Sequence, residues 1–216
     1  MKKIKEFIKK NQKFVITICI LLLGQAFMYW LLKLFQNDPI YINYHLDNKI
    51  PFIGYFVYIY NAFYPFMVIS LYLLYKKDEK AYYKGAIAGV IGYLICDVIF
   101  LSIPTIMYRN VIPSTDPFTD FVIKVTFYFD NPPLNCFPSI HCLFCFQVIY
   151  SYIFSKETTK RKIVMVTCAL LIIVSTLFIK QHYVYDVISA FLICLIANML
   201  ESLFEIYKRL KKAKKL

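Results

Sequence analysis

The sequence predicts an all-α polytopic membrane protein, six transmembrane helices in a single bundle, with residues 1–216 as one domain. Three observations predict it. Apolar runs close to the ~20 residues that a helix needs to cross a bilayer recur along the chain. The composition is 60% hydrophobic and only 18% charged, more apolar surface than a soluble domain of 216 residues carries. The basic residues fall between and beyond the apolar runs.

Residues 1–13 hold six Lys and one Glu, a solvated basic lead. Residues 14–36 form the first apolar run. A basic lead before such a run also describes a signal peptide. This run is long, however, and Gln25 onward offers no small-x-small cleavage site, so it is read as a retained span. Residues 37–50 are polar and turn-like, with Asn37-Asp38-Pro39, Asn43, His45 and Asp47-Asn48-Lys49. The second span, 51–75, is rich in Tyr and Phe and contains Asn61 and Pro65; a spanning helix tolerates proline when neighbours satisfy the freed backbone. A charged loop runs from Lys76 to Lys84. The third span, 85–103, opens with Gly85, Gly89 and Gly92, a small-residue face for close helix packing. Residues 104–137 are the longest non-apolar segment and hold five of the nine prolines along with Asp116, Asp120 and Asp130. Within them, Phe118–Phe129 has the pattern of a short amphipathic helix lying on the bilayer. The fourth span begins at Pro138, a favoured first-turn residue, and ends near Phe154. A basic loop at 156–162, a fifth span at 163–179, a sixth at 183–206 and a basic tail at 207–216 complete the chain.

Charge placement sets the expected orientation. Six spans put both termini on one side. The lead, the 76–84 and 156–162 loops and the tail all belong to that side and carry 20 of the 25 Lys and Arg. The remainder are Lys33, Lys49, Arg109, Lys124 and Lys180. Basic segments stay in the cytoplasm, so the termini are expected there, with the 104–137 loop, the start of span four and the span five–six junction on the outer face. The same placement turns the net charge of +12 away from nucleic acid and toward anionic membrane lipids. Compact Lys-rich loops without an organelle-type transit peptide point to a bacterial plasma membrane. Of seven Cys, five (Cys19, Cys96, Cys145, Cys168, Cys194) lie in or beside apolar segments and read as small buried apolar residues, not a disulfide framework. His141, Cys142 and Cys145 lack a second Cys or His pair at partner spacing, so no metal site is expected.

That topology brings His141, His182 and Arg109, far apart in sequence, to one depth on the outer side. His182 and Asp186 stand at i, i+4 and share a helix face. A carboxylate there accepts a hydrogen bond from one imidazole nitrogen, fixes the tautomer and leaves the other nitrogen free to attack. An ionisable residue one turn into a span faces a partner or a cavity. A buried pair that only pins two helices has the same spacing; the convergence with His141 and Arg109 is what points to chemistry. Helix starts at Pro138 and near His182 present unpaired N–H groups that favour anions, and Ser139 adds a hydroxyl donor. Asp97, inside the third span, is either a partner within the bundle or a site residue.

These residues resemble the type 2 phosphatidic acid phosphatase (PAP2) superfamily of membrane lipid phosphatases and phosphotransferases. Its motifs are Lys-x6-Arg-Pro, Pro-Ser-Gly-His and Ser-Arg-x5-His-x3-Asp. The second reads here Pro138-Ser139-Ile140-His141, and the third Ser175-Thr176, five residues, His182, three residues, Asp186. Arg109 matches the first, with Ser102 in place of Lys and Asn110 in place of Pro; Thr176 stands where the third has Arg. The resemblance covers about residues 95–190 and implies a PAP2-like bundle. It implies His182 as the nucleophile that forms a phosphohistidine, Asp186 as its orienting partner and His141 as general acid. Arg109 and Ser139 are implied as phosphate ligands, without a metal or other cofactor. With two of the expected phosphate-binding cations missing, Lys180 is expected to supply a replacement charge. The leading expectation is a lipid phosphate monoester or pyrophosphate phosphatase with a lipid phosphate as its substrate. The alternative is a phosphotransferase. The run His182-Tyr183-x-x-Asp186-Val187-x-x-Ala190 resembles sphingomyelin synthases, and Pro-Ser-x-His with Lys-Gln-His resembles the inositol phosphorylceramide synthase branch. A catalytically degenerate member is the third reading.

Overall fold

The computed structural model describes residue 6 and residues 8–42, 46–109 and 116–213. The expectations for Lys2, Lys3, Lys5, Asn43, His45, Asn110, Pro113, Lys214 and Lys215 lie outside the described residues.

Helices form where the apolar runs are unbroken, and caps and prolines set their ends. Helix α1 runs Gln12–Lys33 with a π-helical stretch at Ile20–Gly24. Helix α2 takes in Phe56–Lys77, as Phe56–Asn61 followed by Phe63–Lys77. The interruption has a local cause. Pro65 has no N–H to give the carbonyl of Asn61, so it sits in the first turn of the second piece, where none is needed. Helix α3 (Glu79–Ser102) is capped by Asp78, whose Oδ1 accepts from Ala81 N at 3.1 Å. Its Oδ2 accepts from Lys156 N at 2.9 Å and joins the two basic loops at that end. Helix α4 (Pro117–Phe129) follows an Asp116 cap with Pro117 in its first turn. Helices α5 (Ile140–Ile153), α6 (Thr159–Phe178) and α7 (Val184–Ala213) complete the bundle.

Helices α1, α2, α3, α6 and α7 are long and apolar enough to cross a membrane. Helix α5, the expected fourth span, is not: its 14 residues reach about 21 Å at 1.5 Å each, against a hydrocarbon core of about 30 Å. The missing length is irregular chain. Residues 134–136, 138 and 139 are all buried, and non-helical backbone is tolerated among membrane helices where protein surrounds it. The helix starts at Ile140, two residues later than a Pro138 first turn, because the Ser139 hydroxyl accepts from Cys142 N at 3.2 Å and caps it.

Helices α3, α5, α6 and α7 share a core that includes Tyr82, Tyr93, Leu143, Tyr152, Ile172 and Ile193. Large apolar side chains such as Leu23, Phe27, Leu94, Val98 and Leu203 remain exposed on the bundle, a surface that suits lipid. Asp97 is a bundle partner: Gln25 Nε2 of α1 donates to its Oδ1 at 3.1 Å, inside the packing. The small-residue face works as a contact. A Cβ on Gly85 would press on Ser151 Oγ and lie 3.3 Å from Ser151 Cβ on α5. Gly85→Val is therefore expected to destabilise the bundle by about 1–3 kcal/mol, read as a lower unfolding midpoint in detergent.

At the opposite end from the basic loops, three connections are tied together. Strand β1 (Ile40–Tyr41) pairs in parallel with β2 (Thr105–Ile106), Ile40 opposite Thr105, and Ile106 bridges to Leu134. Helix α4 buries Thr119 and Ile123 and leaves Phe118, Phe121, Tyr128 and Phe129 exposed, an amphipathic arrangement. Ile123 packs with Val57, Tyr60 and Ile179. These contacts hold Arg109, residues 130–139 and the α6–α7 junction against one another.

Candidate active site

His182 lies in the turn between α6 and α7. The backbone oxygen of Thr176 accepts from Gln181 N at 2.8 Å and His182 N at 3.2 Å and closes that turn. The Nδ1 of His182 faces two acceptors, the Cys136 carbonyl oxygen at 3.2 Å and Asp186 Oδ2 at 3.3 Å. A carbonyl only accepts, so Nδ1 carries the proton and Nε2 keeps its lone pair. Asp186 is held in turn: Oδ2 also accepts from Tyr183 N at 2.8 Å, and its backbone oxygen accepts from Ser139 N at 3.2 Å. That last bond joins the start of α5 to the start of α7. The side chains of His182 and Asp186 are 9% and 1% exposed, so the pair is shielded from competing water.

His141 lies in the first turn of α5, its ring centroid 5.8 Å from that of His182. Its Nε2 is hydrogen-bonded to Tyr60 Oη at 3.1 Å, and the Phe63 ring packs against it at 4.5 Å. Arg109 reaches in from the segment after β2. Its Nη2 donates to Gln181 Oε1 at 2.8 Å and to Asp130 Oδ2, and its guanidinium stacks on Phe127 at 4.9 Å. Lys33 comes from the end of α1. Its Nζ donates to Asp130 Oδ1 at 3.1 Å and to the Pro132 carbonyl at 2.9 Å. Tyr29 Oη adds a third donor to Asp130, on Oδ1 at 2.6 Å. Burial pushes the Asp130 carboxyl up, but Arg109, Lys33 and Tyr29 together outweigh it and hold the group below the usual carboxylate range.

The structure thus brings His141, His182, Asp186 and Arg109 together. Ser139 is fully buried, and its hydroxyl caps α5. Lys180, expected to supply a phosphate-binding charge, is turned to the 37–50 loop: Nζ donates to the carbonyls of Asp47 at 2.9 Å and Ile50 at 2.5 Å. Its backbone is left-handed at this position (φ 55°). Burial lowers the pKa of this ammonium, with the Asp47 carboxylate opposing. Lys180→Met is accordingly expected to loosen the loop by about 1–2 kcal/mol while turnover per folded molecule stays within a few-fold of wild type. Detergent unfolding and a specific-activity assay check both halves.

Sequence reasoning missed Lys33, Tyr60, Gln181 and the position of Asp130. Lys33 alone carried a signal, as a lysine at the end of the first apolar run away from the basic lead. Ser102, where the first motif has Lys, bonds back to Val98 O on its own helix at 2.8 Å. Thr176, where the third has Arg, is buried and bonds to Ile173 O at 2.7 Å.

Fold and side-chain cluster together define a class: a helical membrane protein in which two histidines, one backed by a carboxylate, stand beside a guanidinium and an ammonium. A family model described as the PAP2 superfamily matches residues 40–200, and the chain belongs to that superfamily. Searches of curated proteins and of solved structures returned no match. Membership places the chain among phosphatase-type folds, in a superfamily made up generally of phosphatases and phosphotransferases.

Proposed function

We propose that the chain is an integral-membrane lipid phosphatase, hydrolysing a lipid phosphate or pyrophosphate through a phosphohistidine intermediate. The observation that carries this reading is the His182 tautomer: with Nδ1–H held by Asp186 and the Cys136 carbonyl, the Nε2 lone pair is available for attack. In the first step Nε2 bonds to phosphorus, the P–O bond to the lipid breaks, and His141, which takes up a proton once the negative charge of the phosphate lies beside it, gives that proton to the leaving oxygen. In the second, a water oxygen attacks phosphorus as His141 takes a proton from it. The P–N bond then breaks and inorganic phosphate leaves. Arg109 binds the non-bridging oxygens and offsets charge on them through both steps. The 20-of-25 bias of basic residues supports a pocket that opens on the outer leaflet of the plasma membrane.

The test is phosphate release over a panel of lipid phosphates and pyrophosphates, wild type against His182→Ala. Release by the wild type alone supports the proposal. Headgroup transfer to a lipid hydroxyl without phosphate release assigns a phosphotransferase instead. Two equally inert proteins assign a degenerate member.

A further inference from the structure

Around Asp130 the site holds more hydrogen-bond donors than that carboxylate pairs. Asp130 accepts from Tyr29 Oη, Lys33 Nζ and Arg109 Nη2 with its two oxygens. Two further donors beside it, Arg109 Nε and Gln181 Nε2, are buried without a partner. Gln181 is only 2% exposed, and buried polar hydrogens of this kind are nearly always bonded. Leaving two unpaired in one spot is unfavourable, unless the spot accommodates a ligand with more oxygens than a carboxylate has.

Exposure ranks the members of the cluster. The Lys33 and Arg109 side chains are 6% and 8% exposed, and Asp130 is 24% exposed. The anion therefore lies on the open side and the cations behind it. Both cations also have anchors that do not involve the Asp130 side chain. Arg109 stacks on Phe127 and bonds to Gln181. Lys33 bonds to the Pro132 carbonyl, and its ammonium lies 4.7 Å from the ring centres of both Tyr29 and Trp30. Withdrawing the Asp130 carboxylate would leave two fixed positive charges and up to five donors facing one vacancy. A phosphoryl group, with three non-bridging oxygens and up to two negative charges, matches that set better than a carboxylate does.

We infer that Asp130 is a built-in anion occupying the phosphate seat, displaced when substrate binds, and that Lys33 of the first helix is the second phosphate-binding cation beside Arg109. This rests on the phosphoryl-binding reading of the pocket, not on turnover. Substrate affinity is then set by competition. Every phosphate that enters exchanges with a carboxylate already satisfied by the same donors, so the resting pocket binds phosphate more weakly than its cations allow.

The test uses inorganic phosphate as probe and the full chain in detergent, with binding read by calorimetry. Asp130→Asn is expected to tighten phosphate binding by at least about tenfold, and adding Lys33→Met is expected to abolish that gain. An Asp130→Asn protein that unfolds at the wild-type midpoint yet binds phosphate no more tightly overturns the inference and leaves Asp130 as a permanent brace between α1 and the 130–139 segment. Should Asp130→Asn not fold, carbodiimide labelling of Asp130 in the wild type decides. Saturating sulfate, a tetrahedral oxyanion inert to the reagent, is expected to raise labelling as the carboxylate is released; unchanged or lower labelling overturns the inference. Lipid phosphate release is scored separately. A chain with the expected phosphate affinities that hydrolyses no lipid phosphate retains this inference and loses the phosphatase reading.

Discussion

Replacing His182 with Ala is expected to lower phosphate release by at least about a thousandfold, with no acid-labile phosphate retained on the protein. On the proposed mechanism His182 is the nucleophile, so its loss removes the covalent route, and truncating a nucleophile typically leaves only the residual catalysis of binding and charge stabilisation. The side chain is also structural, because Nδ1 binds the Cys136 carbonyl and Asp186. His182→Asn therefore makes the cleaner companion: its amide N–H can still serve those acceptors, but nothing replaces the Nε2 lone pair. Both variants are expected to be inactive, and the Asn variant to unfold closer to the wild-type midpoint. Activity of His182→Asn within tenfold of wild type would remove the phosphohistidine from the account. Measurements are single-turnover phosphate release and unfolding in detergent.

The second large effect is expected at Arg109. Arg109→Lys should lower kcat/KM by about a hundredfold and Arg109→Ala by more, since removing one donor to a developing oxyanion costs about two to three powers of ten. The lysine substitution is informative because it keeps the charge. An ammonium has no planar face to lay on Phe127, and its single nitrogen cannot replace both Nη2, which serves Asp130 Oδ2 and Gln181, and Nη1, which serves the Asp130 carbonyl, so the oxygens are no longer met from a fixed direction. If Arg109→Lys retains full kcat/KM, charge alone suffices, and the planar geometry of the guanidinium has no part in catalysis. The comparison with Lys180→Met separates two lysine-containing arrangements: one cation faces the pocket, the other the 37–50 loop.

The superfamily and the candidate pair were legible because their signals are local. His182 and Asp186 are four residues apart, and helix geometry alone puts them on one face. Pro138-Ser139-Ile140-His141 and Arg109 were legible as motif residues in an order that topology could bring together. Two further signals were also local, and tertiary packing altered what they gave. An apolar run starting at Pro138 reads as one spanning helix, whereas the structure makes it a 14-residue helix preceded by buried irregular chain around residues 134–139. A lysine two residues before His182 reads as a phosphate-binding cation, although in the folded chain its ammonium bonds to the carbonyls of Asp47 and Ile50.

By itself the sequence determined the apolar helices, the basic loops between them and the His–Asp spacing, because each follows from residues within a few turns of one another. Only the tertiary structure decided which cations stand at the pocket. Lys33 and Asp130 meet across 97 residues, Tyr60 and His141 across 81, and Arg109 and Gln181 across 72. Contacts at such separations depend on how helices cross and where loops descend, and those follow from the packing of the whole chain rather than from any short stretch of it.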